Sequence, residues 1–392
     1  MSRWIIVLTL LLAFARPGAA SAQTKSYAVA VLAPLYLDSS FDAGGGYKLG
    51  RQYPRYAFSG LEFAEGARLA LDTLQTQGAR LQCNFYDIRS ADQTIPRLIE
   101  SHRLDSIQLI IASVSGGDYQ TLADFARTRS IPFVSATWPN EGGVTANPYV
   151  CILNPTILSH CEAIYHFIRV NHPTHQILYV RKPGPMEDRL EGYFKQLNEG
   201  SGTALLPMQT ITAGDTVSAA TLQPYLDSNR YAVIVCGSLD DGFGTSLVRT
   251  CAGLAGSYPM TLIGMPTWES NRALEGPDLK QMPYLYTDPF LNPDIDSSAS
   301  SLSLVQRFTN LAHTRPGDMA FRGYESVYLF ANLLLRYGNI LMSHAGETNF
   351  QTYTPFDIKP VFLQTGAAVP DYFENKHIYI LRRQNGAVTR LQ

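Results

Sequence analysis

Apolar residues run through this chain in short unbroken stretches, and segments of helical spacing lie between them. "YAVAVLAPLYLD" is apolar until Pro34 stops the run. "FSGLEFAEGARLALDTLQ" then puts Leu61, Ala64, Ala67, Leu71 and Leu74 on one face of a helix. The alternation continues with "ARLQCNFYD" as a strand and "TIPRLIESHRLD" as a helix. That helix carries Pro in its first turn, where the missing N–H costs nothing. "IQLIIAS", "YQTLADFARTR" and "IPFVSAT" follow as strand, helix and strand. The strands are apolar at every position rather than at every second one. That pattern predicts a parallel sheet covered by helices on both faces.

The pattern starts again after "NPYVCIL". Helices "ILSHCEAIYHFIRVN", "MEDRLEGYFKQLNE", "AATLQPYLDSN" and "GTSLVRTCAGLA" alternate with strands "HQILYVRK", "TALLPMQTI", "YAVIVCGS" and "PMTLIGMP". "MPYLYTDPF" leads to two more helices, "SLSLVQRFTNLAH" and "GYESVYLFANLLLRYGN". The last residues, "HIYILRRQNGAVTRLQ", predict a hairpin turned at Asn385-Gly386. The fold class is α/β, with two Rossmann-like lobes built on parallel central sheets. A length of 392 residues fits two cores, since single cores stop growing at about 250–300 residues. In open parallel sheets ligands bind beyond the C-terminal strand ends. With two such lobes, that place is the cleft between them.

The first residues change where such a protein works. "MSRWIIVLTLLLAFARPGAASAQ" has a basic start, an apolar run from Trp4 to Phe14, and small residues ending at Ala22. This is the order of a cleavable signal peptide over residues 1–22. The expected product is periplasmic and is not inserted in a membrane. Cleavage would remove Arg3 and Arg16 from the 31 basic residues and none of the 33 acidic ones, leaving a net charge of −4. Such a surface excludes a nucleic-acid footprint. The five cysteines, Cys83, Cys151, Cys161, Cys236 and Cys251, lie in apolar runs. They read as buried thiols, with Cys151–Cys161 or Cys236–Cys251 as the bridges that spacing would allow.

Several segments have a familiar order and context: "VAVLAPLYLD", "GLEFAEGARLALDTL", "QLIIASVSGGDYQTLADFARTRSIPFVSATW", "AVIVCGSLDDGF", "LIGMPTWES" and "FRGYESVYLFANLLLRYGN". In this the chain resembles the type I periplasmic binding proteins, and within them the leucine/isoleucine/valine-binding branch. These are the substrate-binding components of ABC transporters. The resemblance covers nearly the whole mature chain and implies three crossovers between lobes. It places lobe 1 at residues 25–150 plus 289–342, and lobe 2 at 151–288 plus 343–392. It implies capture of a small polar ligand, an amino acid or a related compound, with an ABC permease or another envelope protein as partner.

The resemblance also implies which loops hold the ligand. On lobe 1 they are Ser113 to Asp118 and Ser135 to Trp138. The start of a helix at Gly116 and Gly117 suits an anion through its free N–H groups, and Ser115 and Thr137 add hydroxyls. Ser113 and Ser115 equally suit helix caps. Lobe 2 would bring Ser238, Asp240 and Trp268. Asp240 either meets a ligand ammonium or caps the helix that follows, and Trp138 either faces the cleft or packs between lobes. Two glycines and Asp118 stand where amino-acid binders of the family carry more Ser and Thr. Met265-Pro266 stands where the lobe-2 acid that meets the ammonium would be. The tryptophans suit a ring, a sugar face or an apolar ligand.

Catalysis is not expected. Ser115 fails the G-x-S-x-G frame, and neither H-E-x-x-H nor S-x-x-K occurs. Gly44–Gly46 fits neither a phosphate loop nor a dinucleotide loop. His160, His166, His172 and His175 do not share one helix face, so no metal or other cofactor is expected. A different class of function stays open: an envelope sensor, regulator or scaffold that kept the fold without transport.

Overall fold

The computed structural model describes residues 26–50, 53–200, 202, 204–290 and 298–391. The leader expected over residues 1–22 lies outside them. In chain order, β1 (Tyr27–Ala33), β2 (Leu81–Asp87), β3 (Leu109–Ala112), β4 (Phe133–Ser135) and β5 (Val150–Ile152) come first. Next are β6 (Gln176–Arg181), β7 (Met208–Thr212), β8 (Ala232–Cys236), β9 (Met260–Ile263) and β10 (Tyr284–Asp288). Then come β11 (Ile358–Val361), β12 (Tyr372–Asn375), β13 (Tyr379–Gln384) and β14 (Ala387–Arg390). They form two seven-stranded sheets, ordered β11-β12-β5-β4-β3-β1-β2 and β14-β13-β10-β9-β8-β6-β7. Both are parallel except where β11 pairs with β12, β10 with β13, and β13 with β14.

The unbroken apolar runs are buried on both faces, as their composition predicts. In β1, Val29 and Val31 join Phe63, Phe330 and Leu334 in one core. Ala30 and Leu32 join Leu98, Leu122 and Phe125 in the other. On the first face the helices Arg55–Thr76 and Asp318–Tyr337 cross in backbone contact. A Cβ on Gly66 would lie 1.9 Å from Ala320 O, and one on Gly323 would lie 2.0 Å from Phe63 O. Only glycine allows that approach. The hairpin forms where expected: Asn385 and Gly386 have φ of 54° and 78°, the left-handed pair that a tight two-residue turn demands.

The chain crosses between lobes three times: after β5, between β10 and the helix Ala299–Ala312, and between β12 and β13. The expected boundary at 342/343 is therefore corrected. Residues 343–375 stay with the first lobe, because β12 adds to β5 in parallel, Phe373 opposite Cys151 and Glu374 opposite Ile152. β11 and β12 are four residues each, too short and too polar to show in the pattern. β5 also belongs to the first sheet, so lobe 2 begins a few residues after 151. Two expected helices are shorter than their patterns: "TIPRLIESHRLD" is helical over Ile95–Glu100, and "AATLQPYLDSN" over Ala219–Leu222.

The first and third crossings run side by side. Glu374, 1% exposed, accepts hydrogen bonds from Thr156 N at 2.7 Å, Thr156 Oγ1 at 2.9 Å and Ser159 Oγ at 2.8 Å. Its other oxygen lies 2.8 Å from Lys376 Nζ. Asn375 Nδ2 donates to Leu153 O at 3.2 Å. All five cysteines are free thiols, and four of them are buried.

Glu325 is a second buried acid, on the helix Asp318–Tyr337. It accepts hydrogen bonds from Tyr353 N, Thr354 N and Thr354 Oγ1. Burial nonetheless pushes its carboxyl up to about 7. The folded protein thus holds a proton that the unfolded chain gives up near the ordinary glutamate value of about 4.3. The stability from this group is full below that value and is lost as pH rises toward about 7. Glu325→Gln mimics the protonated form. It should flatten the fall in melting temperature across that window; identical melting profiles for the two proteins would refute the account.

Candidate functional site

A cavity of about 350 Å³ lies between the lobes. Pro139, Asn140 and Glu141, just past β4, form its first-lobe wall. Arg322 joins them from the long helix Asp318–Tyr337. The second lobe supplies Leu239 after β8, Thr267 and Glu269 after β9, and Met186 and Arg189 from the helix Pro185–Glu199. His160, Thr287 and Asp288 close the end next to the crossings. Arg189 reaches over to Glu141 at 3.4 Å, an ion pair between lobes.

The polar groups of this cavity are poorly satisfied by the protein itself. Arg322 lies flat on Phe290, with Cζ 3.9 Å from the ring centroid. Its Nε is buried with no hydrogen-bond partner. Asp288 accepts one hydrogen bond, from Phe290 N at 3.0 Å. Burial pushes the Asp288 carboxyl up to about 7, against the pull of Arg322 and with the push of Glu269 and Asp318. Burial also raises Glu269, with Asp318 adding to the rise and Arg383 and Arg322 opposing it. His160 Nδ1 is 2.8 Å from Thr287 Oγ1, and burial lowers its pKa to about 3. That imidazole is neutral at any ordinary pH.

None of the ten residues expected at the site lines this cavity. Ser113 Oγ pairs with Thr137 Oγ1 at 3.2 Å. Ser115, Gly116 and Gly117 are exposed at the start of the helix Gly116–Arg129, where Ser115 makes no side-chain cap. Gly116 has a φ of 57° and open space beside it. Ser135 is buried, and its hydroxyl has no partner.

Four expected contacts are used up locally. Trp138 packs edge-on against Tyr119, ring centroids 4.6 Å apart, and is half-buried there. Ser238 is wholly buried and donates to Glu187 Oε1 at 2.6 Å. Asp240 caps its helix, accepting from Phe243 N at 2.7 Å, and pairs with Lys182 at 2.9 Å. The Phe243 bond first, then Lys182, holds its carboxyl below the usual range. Trp268 is 0% exposed in the core of lobe 2, against Tyr284 and over Gly264. The side chains of Ser238 and Trp268 are both buried within lobe 2 and are not among the residues lining the cavity.

The cavity lining stands directly beside several of the expected positions in sequence. Pro139 directly follows Trp138, Leu239 follows Ser238, and Thr267 and Glu269 flank Trp268. Arg322 and Asp288 escaped notice. The signals were present: an arginine near the start of the apolar helix "FRGYESVYLFANLLLRYG", and an acid at the end of the strand "YLYTD".

The model of a family described as periplasmic binding protein matches residues 55–360 of this chain. The chain belongs to the periplasmic binding protein family. It is a family of binding proteins and not of enzymes. Solved structures of similar fold span both lobes. A branched-chain amino acid ABC transporter periplasmic ligand-binding protein from Burkholderia xenovorans has a TM-score of 0.63 at 11% identity, covering 93% of this chain and 94% of its own. An ABC transporter substrate-binding protein from Desulfitobacterium hafniense, in complex with Leu, has a TM-score of 0.58 at 14% identity, with 94% and 100% covered. A fatty acid ABC transporter substrate-binding protein from Thermomonospora curvata has a TM-score of 0.51 at 11% identity, with 94% and 92% covered. At such identities the likeness shows the type I fold, and the ligand named differs among these proteins. No curated protein matches this sequence. Among the described residues no helix of this binding protein is long and apolar enough to cross a membrane.

Proposed function

We propose that this is an exported periplasmic solute-binding protein, which takes a small polar ligand, an amino acid or related compound, into the cavity between its lobes for an ABC importer. The observation that carries this reading is Arg322, on the wall of a cavity that both lobes enclose, whose buried Nε has no hydrogen-bond partner. A buried donor of this kind costs free energy until something accepts from it, and a ligand carboxylate matches its planar fork. The exposed, uncapped helix start at Ser115–Gly117 lies one strand over from Pro139, and in this proposal it forms the rim with Ser113 and Thr137.

The test is a thermal-shift screen of the secreted protein over amino acids, short peptides, sugars and peptidoglycan fragments, followed by calorimetry. At least one amino acid or like solute should raise the melting temperature saturably. Arg322→Met should weaken that ligand about tenfold or more, the weight of a charged hydrogen bond of about 1.5–3 kcal/mol. No shift with any compound would overturn the reading. It would favour the alternative, an envelope module that kept the fold and works through its surface. Tyr56 and Phe58 are exposed beside the first lobe's opening loop, which is where such a partner would find apolar contact. Intact mass of the exported protein should place its first residue at Gln23.

A further inference from the structure

The cavity holds more negative than positive charge, and only two of its charges are paired with each other. Glu141 and Arg189 meet each other at 3.4 Å and set one another aside. Two carboxylates, Glu269 and Asp288, then face one guanidinium, Arg322. Among the described residues neither carboxylate has a cation within 4 Å, and Arg322 donates no hydrogen bond. Asp318, at the start of the long helix, adds a further negative charge that is felt by both acids. Arg383 from β13 faces Glu269, but it is engaged by Glu275 at 2.7 Å. His160 is neutral and brings no charge. Pro139, Ile157, Met186, Leu239 and Pro266 also line the cavity and offer apolar contact to an alkyl chain.

A neutral zwitterion would satisfy Arg322 with its carboxylate and one acid with its ammonium, and would leave the other acid stranded. We infer that the cleft selects a basic amino acid or a like carboxylate with two cationic nitrogens: Arg322 takes the carboxylate, and Glu269 and Asp288 take one cationic group each. The inference rests on the solute-binding reading and sharpens it. Buried acids without counter-ions are held partly protonated, and a ligand cation brought beside them ionises them. Asp288, pushed up to about 7 by burial, then gives up a proton when the ligand enters.

The test is calorimetry of the whole mature protein with L-lysine, L-ornithine and L-arginine against L-leucine and L-valine. Each is run at pH 7 in phosphate and in Tris, whose ionisation enthalpies differ. The basic amino acids should bind at least tenfold tighter than leucine and release protons. Leucine, with one cationic group, should release fewer. Asp288→Asn should cut lysine affinity at least tenfold and abolish the proton release, Glu269→Gln should also cut lysine affinity at least tenfold, and each variant should cost lysine more than leucine. Melting curves of the two variants certify their folding, and the wild-type comparison needs no variant. Leucine bound as tightly as lysine, without proton release in either case, would overturn this inference and leave solute binding standing. No heat from any of the five would overturn this inference, and the wider thermal-shift screen then decides whether solute binding stands.

Discussion

Trp268→Ala should lower the unfolding free energy of lobe 2 by about 3–5 kcal/mol, the usual cost of emptying a large buried aromatic site. The indole is 0% exposed and packs edge-on against Tyr284, ring centroids 5.5 Å apart. It also covers two glycines, and a Cβ on Gly264 would lie 2.0 Å from it, one on Gly244 2.5 Å. Those glycines exist to make room for this ring, so no neighbouring side chain stands ready to fill the space. Trp268→Phe should cost less, since a smaller ring retains part of the contact. Chemical denaturation followed by far-ultraviolet circular dichroism checks both. An unchanged midpoint for the alanine variant, with altered ligand affinity, would return Trp268 to the cleft.

Glu374→Ala should be nearly as damaging, for a different reason. Removing one partner of a buried ion pair costs about 3–5 kcal/mol, because the other charge is left uncompensated. Here the carboxylate also serves Thr156 N, Thr156 Oγ1 and Ser159 Oγ. Lys376 keeps Ser159 Oγ at 2.7 Å and Glu162 at 3.6 Å, which places the loss at the lower end of that range. The lesion lies where two crossings are tied together, so it should also loosen the relation of the lobes. A lower melting temperature together with faster amide exchange at residues 153–157 and 376–378 is the expected pair of results. Exchange that quickens in the outer helices alone would refute the clasp.

Much of the fold was legible because the strands bury both faces. An apolar run such as "AVIVC" allows few other structures when helical patterns flank it. β11 and β12 were not legible, because an edge pair of four residues each, with Lys359 and Glu374 in it, has no apolar excess to read. The site was half legible. Strand ends point to a cleft whatever their side chains are, and the cavity is lined by sequence neighbours of several expected positions. Which side chain enters the cleft is set by competition. Ser238 had Glu187 to bond, Asp240 had a helix end and Lys182, and Trp138 had Tyr119. Arg322 is far from those loops in sequence, and its place in the cleft depends on a helix returning to the first lobe after the second.

That return governs the order of assembly. Strands β6–β10 come from one continuous stretch of chain, so the second sheet has its parallel core as soon as residue 288 has emerged. The first sheet has no such moment. Its strands β1–β5 appear early, but one of its two covering layers includes the helix Asp318–Tyr337, seated on Gly66 through Gly323. Until that helix arrives, Val29, Val31 and Phe63 lack part of their cover. The earliest-made half of the protein therefore waits longest for its cover, and a chain interrupted before residue 337 leaves an open apolar face for chaperones or proteases to seize.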